Sequence, residues 1–223
     1  MRYLVRRAVA ELLGTAFLVA AVVGSGVMAT TLSPSDVGLQ LLQNSVATGG
    51  ALVALIIAFG SVSAAFNPVV TLVEVALGEL WLLEGLALVA AQLVGGCLGA
   101  VAANLMFDLP AVSVSGHHRA SPAHLFAEVV ATVGLLLVIH GALRRARLES
   151  VAVAVAAYIT AAYWFTSSTS FANPAVTLGR TLSDTFAGIA PASVVPFVAA
   201  QAVGGVLAFL LIRLLHPQEP VHA

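Results

Sequence analysis

No lysine occurs in this chain: its nine basic residues are all arginine, set against ten acids for a formal net charge of −1. Charged residues fill only 9% of the 223 positions, against 60% that are hydrophobic. A water-soluble domain of this length needs a polar surface that so few charges cannot supply. With no polybasic block, the sequence gives no footprint for nucleic acid or for a calmodulin-like partner. The one cysteine, Cys97, lies in the small-residue run 95–99 and can form neither an intrachain disulfide nor a thiolate metal site. A metal-ligand cluster, a nucleophile with a spaced base and a phosphate-cradling glycine loop are all missing. The sequence therefore points to no enzyme and implies no metal or cofactor.

What the chain has in abundance is apolar sequence, at a mean hydropathy of +1.04. It comes in stretches near the ~20 residues that cross hydrocarbon as a helix, without the period-two alternation of a barrel strand. The stretches cover about 8–30, 42–60, 81–107, 122–143, 151–166 and 190–214. Arg2, Arg6 and Arg7 before the first stretch imitate a signal peptide. The run that follows is long enough to span, so it is read as a retained first helix. Six crossings put both termini on one side, together with Arg2, Arg6, Arg7, Arg144, Arg145, Arg147 and Arg213. Arg119 and Arg180 are left for the other side. By the positive-inside rule both termini are cytoplasmic, as in a multi-pass protein of a bacterial inner membrane.

Two further apolar segments, 68–77 and 174–184, are too short to cross, and each is introduced by Asn-Pro. Asn caps a helix well and Pro suits its first position, so Asn67-Pro68 and Asn173-Pro174 are helix starts. Half-length helices at membrane depth require a polar, water-lined path. Three landmarks also recur in order. Glu11 to Thr15 is answered by Glu128 to Thr132, Phe66 to Thr71 by Ala172 to Thr177, and Ala90 to Gly96 by Ala199 to Gly205. Each half holds three crossings, so the second is inverted relative to the first. The reading is an all-α membrane protein with six transmembrane helices and two re-entrant half-helices. It forms a single channel domain over 1–223, built of inverted repeats at about 1–110 and 120–216. Inversion brings the half-helices tip to tip, with Asn67 and Asn173 meeting at mid-membrane.

Twin Asn-Pro half-helices with a glutamate in helices one and four resemble the major intrinsic protein family, the aquaporins and aquaglyceroporins, over nearly the whole chain. The resemblance implies an hourglass pore in each subunit, four subunits side by side in the bilayer, and passive conduction of water or small uncharged solutes without protons. It assigns the pore motifs to Asn67, Pro68 and Val69 and to Asn173, Pro174 and Ala175. Glu11 and Glu128 become the acids that brace the re-entrant loops. Two departures stand out. Val69 occupies a place where the family most often has alanine, and Val176 one where most members carry the arginine of the outer filter. Spacing from the second motif adds Ser170 and Ala161 to that filter, and the second helix adds Gly50, or Ala47 without a gap.

A filter of Gly50, Ala161, Ser170 and Val176 is wide, apolar and uncharged, which favours solutes larger than water. Arg180 is expected to pair with Asp184, four residues on, rather than replace the missing filter arginine. The run from Thr166 to Arg180 and on to Gly188 also resembles bacterial members linked to arsenic resistance. That likeness implies glycerol-like polyols, neutral arsenic or antimony hydroxides, or methylated arsenicals as solutes. A strict water channel and an ion-coupled transporter with inverted repeats stay open as alternatives. Glu74 and His140 are given no role.

Overall fold

The computed structural model describes residues 2–144 and 147–215; Arg145 and the end of the second repeat at residue 216 lie outside them. The chain forms α1 (Arg2–Leu32), α2 (Val37–Phe59), α3 (Pro68–Leu77), α4 (Leu82–Met106), α5 (Pro122–Leu143), α6 (Leu148–Phe165), α7 (Pro174–Gly179) with a 3-10 turn over Arg180–Leu182, and α8 (Pro191–Leu215). Among the described residues there is no strand. Six of the helices, α1, α2, α4, α5, α6 and α8, are long and apolar enough to cross a membrane. Their outward faces carry Phe17, Val46, Leu98, Phe126, Val195 and Leu210, each at least 51% exposed. Apolar side chains so exposed on every side are a surface for lipid rather than for water.

Local chemistry sets the element ends. Asp36 accepts from the Leu39 amide at 2.9 Å and opens α2, and Ser121 does the same for His124 ahead of Pro122 in α5. The short helices start as the Asn-Pro motifs predict: Asn67 caps Val69, and Asn173 caps both Ala175 and Val176. Gly78, in the left-handed conformation at φ 80°, closes α3, where a side chain would be strained. The segment expected to run as one half-helix over 174–184 is shorter. Its α-helical part ends at Gly179, and Arg180–Leu182 tighten into the 3-10 turn.

Arg7 at the start of α1 pairs with Glu84 at the start of α4 at 2.6 Å, so both helices rise from one face, here the near face. At the other end Asn104 of α4 donates to Leu182 and accepts from Ser183, which ties the close of the 3-10 turn to the far face. Half-helix α3 therefore returns to the near face and α7 to the far face. Small residues let α1 and α4 meet along their length: a side chain added at Gly95 or Gly99 would run into the backbone of Leu12 or Ala16.

Candidate functional site

The two Asn-Pro tips meet at the centre of the bundle. The Asn67 amide donates to the Ala172 carbonyl at 2.7 Å, and the Asn173 amide donates to the Phe66 carbonyl at 2.8 Å. Each asparagine thus caps its own helix through oxygen and holds the opposite loop through nitrogen. Phe66 and Ala172, the residues just before them, sit at φ 48° and 46°, a conformation that costs non-glycine residues ~1–3 kcal/mol.

That geometry is held from behind by the two buried glutamates. Glu11 accepts from the Ala65 and Phe66 amides at 2.9 and 2.7 Å, and Glu128 accepts from the Phe171 and Ala172 amides at 2.9 and 2.8 Å. Charge-assisted bonds of this kind are strong enough to offset the strained turns. Gln92 bridges Glu11 to Thr71, and Gln201 bridges Glu128 to Thr177. All three repeated landmarks thus converge on one network in each half. The glutamines and threonines were visible in the sequence as repeats, but their part in it was not.

A cavity of about 300 Å³ runs past the asparagines. On the near side α1, α2, α5 and α6 line it with Leu18, Leu52, Leu135 and Val155 among others, and Arg7 and Glu74 stand at its mouth. Asn67 and Asn173 mark the middle. Beyond them lie Thr48, Tyr163, Ser170, Phe171, Val176 and Arg180. Thr48 Oγ1 and the Tyr163 hydroxyl are 3.1 Å apart and hydrogen-bonded across the α2–α6 contact.

Of the residues expected in the outer filter, Ser170 and Val176 face this cavity and Gly50 and Ala161 do not. Both of the latter are exposed on the outside of their helices, as is Ala47, the ungapped choice. The reason is helical phase. The lumen stripe of α2 is Thr48, Leu52 and Ile56, and that of α6 is Val151, Val155, Ile159 and Tyr163. A residue two places off such a stripe is turned ~200° away. Counting back from Asn173 lands on Ala161, two places off the lumen stripe that holds Tyr163, and Gly50 lies two places off Thr48. Val69 of the first motif is buried but does not line the cavity; its neighbour Val70 does.

Arg180 also departs from expectation. It does not pair with Asp184, which accepts from the Gly116 amide and lies 3.9 Å from His117. Arg180 is 3% exposed, lines the cavity, donates through Nε to the Ala187 carbonyl and stacks on Phe171 with its guanidinium carbon 3.5 Å from the ring centre.

Six apolar spans around a central cavity, with two half-helices meeting in it at a pair of asparagines, define a membrane-spanning pore protein. The major intrinsic protein family model matches residues 2–150, and the chain belongs to that family. It is 49% identical over 220 residues to the aquaglyceroporin AqpS of Rhizobium meliloti (strain 1021), covering 98% of this chain and 94% of that one. Among solved structures, the aquaglyceroporin from Plasmodium falciparum superposes at a TM-score of 0.73, with 21% identity over 94% of this chain and 95% of that one. An FNT family ion channel superposes at 0.54, with 16% identity over 92% and 86%. These last two likenesses show the fold alone. The chain is thus a multi-pass membrane channel for small solutes and not an enzyme.

Proposed function

We propose that the channel passively conducts small uncharged solutes larger than water, and water with them. Glycerol-like polyols come first, then neutral arsenic or antimony hydroxides and methylated arsenicals. The observation that carries this reading is Val176. It lines the cavity one residue beyond the Asn173-Pro174-Ala175 motif with a branched apolar side chain, so that position carries no charge, and the arginine of the wall, Arg180, stands four residues on. The name aquaglyceroporin, carried by the 49% identical relative, supports polyols. The arsenic and antimony solutes rest on the resemblance of the 166–188 run alone.

In this reading Asn67 and Asn173 present their remaining amide hydrogens to the solute, and Glu11 and Glu128 brace the loops that hold them. Ser170 and Val176 belong to the filter, with Thr48 and Tyr163 in the places expected of Gly50 and Ala161. The chain is one channel domain of two inverted repeats, at about 1–110 and 120–216. It assembles as a homotetramer in the bacterial inner membrane, with the arginine-rich near face in the cytoplasm.

The test is stopped-flow swelling of proteoliposomes with water, glycerol and neutral arsenic trihydroxide as alternative solutes. Non-saturating, gradient-driven uptake that survives collapse of proton and sodium gradients is expected. Water flux without glycerol uptake would return the chain to a strict water channel, and saturable uptake that stalls would mark a coupled transporter.

A further inference from the structure

Arg180 is an arginine with four of its five N–H donors unpartnered among the described residues. Nε is committed to the Ala187 carbonyl and the guanidinium plane to the face of Phe171. The two terminal nitrogens have no hydrogen-bond partner among the described residues, and they are not among the buried polar atoms sealed off from space. In a residue that is 3% exposed and lines the cavity, those nitrogens open onto the lumen. Their charge has no counter-ion: the ion pairs among the described residues join Arg7 to Glu84 and His117 to Asp184. Glu128, the buried acid of the same half, is occupied by two backbone amides and Gln201.

The guanidinium is also fixed in place. Three successive carbonyls, those of Phe186, Ala187 and Gly188, hold Arg119 and Arg180, and the Arg119 guanidinium carbon stands 5.5 Å from the centre of the same Phe171 ring. Two cations at one aromatic ring, with no carboxylate paired to either, make this part of the wall electropositive. In the low dielectric of the bundle an uncompensated charge is costly, and a visiting anion relieves it. Across the lumen, the Thr48–Tyr163 contact uses one of its two hydroxyl hydrogens, which leaves the other free to donate. Val176 adds an apolar surface beside them.

We propose that the far half of the pore holds a binding site for a small monovalent oxyanion of the carboxylate or sulfonate kind. The paired terminal N–H groups of Arg180 grip two oxygens carried on one atom, the free hydroxyl hydrogen of the Thr48–Tyr163 pair is donated to the third oxygen of a sulfonate or to one of the two oxygens of a carboxylate, and Val176 meets the apolar remainder. A planar guanidinium matches two such oxygens in a way that a spherical anion does not exploit. The site rests on the proposed pore and extends it: occupied from the far side, it obstructs neutral solutes.

The probe is methanesulfonate, which stays charged at any working pH and so excludes permeation as a neutral acid, compared with chloride at equal ionic strength. Two readouts are taken on the full chain. One is the melting temperature of the detergent-purified protein titrated with each salt. The other is glycerol uptake by proteoliposomes in each salt, expressed as a ratio within each variant. Native protein is expected to melt higher and admit glycerol more slowly in methanesulfonate. Arg180→Gln should weaken the apparent affinity by about tenfold or more, and Arg180→Lys, which keeps the charge but loses the fork, should bind both anions alike. Equal melting temperatures of the native protein in the two salts would overturn the site, as would an undiminished preference in Arg180→Gln. If glycerol does not enter in either salt, the polyol reading fails, while the melting titration still decides the anion site.

Discussion

Val69 rests on Gly205: a Cβ built at residue 205 would lie 2.8 Å from Val69 Cγ1. The inverted counterpart is Gly96 against Ala175, where an added Cβ would lie 2.6 Å from the Ala175 carbonyl oxygen. In both halves a glycine of the third repeated landmark receives the third residue of an Asn-Pro motif, so the extra methyls of Val69 are absorbed by packing between α3 and α8. They do not narrow the lumen.

It follows that Gly205→Ala should destabilise the protein through overpacking, by about 1–3 kcal/mol. Val69→Ala in the same chain should restore most of the loss. Melting temperatures of the four members of this double-mutant cycle measure the coupling. Independent effects of the two substitutions would show that α8 shifts to make room.

The glutamate networks give a second test. Glu128→Gln keeps the size of the side chain but turns one acceptor into a donor, at a point where the Phe171 and Ala172 amides and the Gln201 amide already donate. At least one buried donor is left without a partner, at a cost of about 1–3 kcal/mol. A lower melting temperature is expected, together with lower flux through the loosened Ser170–Asn173 loop. If the acid instead coupled protons to transport, the variant would keep its melting temperature and lose only the dependence on a proton gradient.

The sequence displays the six spans, the two half-helices and the motif pairs because each is a local signal: a run of apolar residues, a cap followed by proline, a repeated string. Glu11 and Glu128 were legible because an acid in an apolar helix demands donors. The filter was less so, since which face of α2 and α6 meets the lumen depends on how those helices rotate against their neighbours. Counting residues through the loop between Phe165 and Asn173 therefore selected Ala161 when the lumen holds Tyr163. Arg180 escaped for a different reason. An i, i+4 acid is the natural partner on an unbroken helix, but the 3-10 turn re-aims Arg180 and leaves Asp184 in an extended segment beside Gly116 and His117.

Tyr163 offers a third prediction. Tyr163→Phe removes the hydroxyl that pairs with Thr48 while keeping the ring, whereas Tyr163→Ala opens the α6 wall of the lumen. Glycerol permeability relative to water should change little in the first and rise in the second, as read by paired swelling assays in vesicles with equal protein. An unchanged ratio in Tyr163→Ala would place the constriction elsewhere along the cavity.

The fourth prediction joins Val176 to Arg180, which follows it by four residues across the end of α7 and lines the same cavity. Val176→Arg exchanges a branched apolar group for a guanidinium with five N–H donors, so it should obstruct wide solutes while holding water by charge-assisted hydrogen bonds. The glycerol-to-water permeability ratio should fall. The added charge should also raise the barrier to cations and reduce any cation leak. Arg180 complicates the outcome, because two like charges four residues apart repel and each would push the other's side chain from its place. The double variant Val176→Arg with Arg180→Val carries one guanidinium, as the native protein does, at the position most of the family resemblance assigns to it. It should therefore show the lower ratio without the repulsion, and melt above the Val176→Arg single variant. Paired uptake of water and glycerol in vesicles carrying equal amounts of each protein measures the ratio. If neither variant moves it, Val176 does not set the selectivity, and the pair Thr48–Tyr163 becomes the constriction to test.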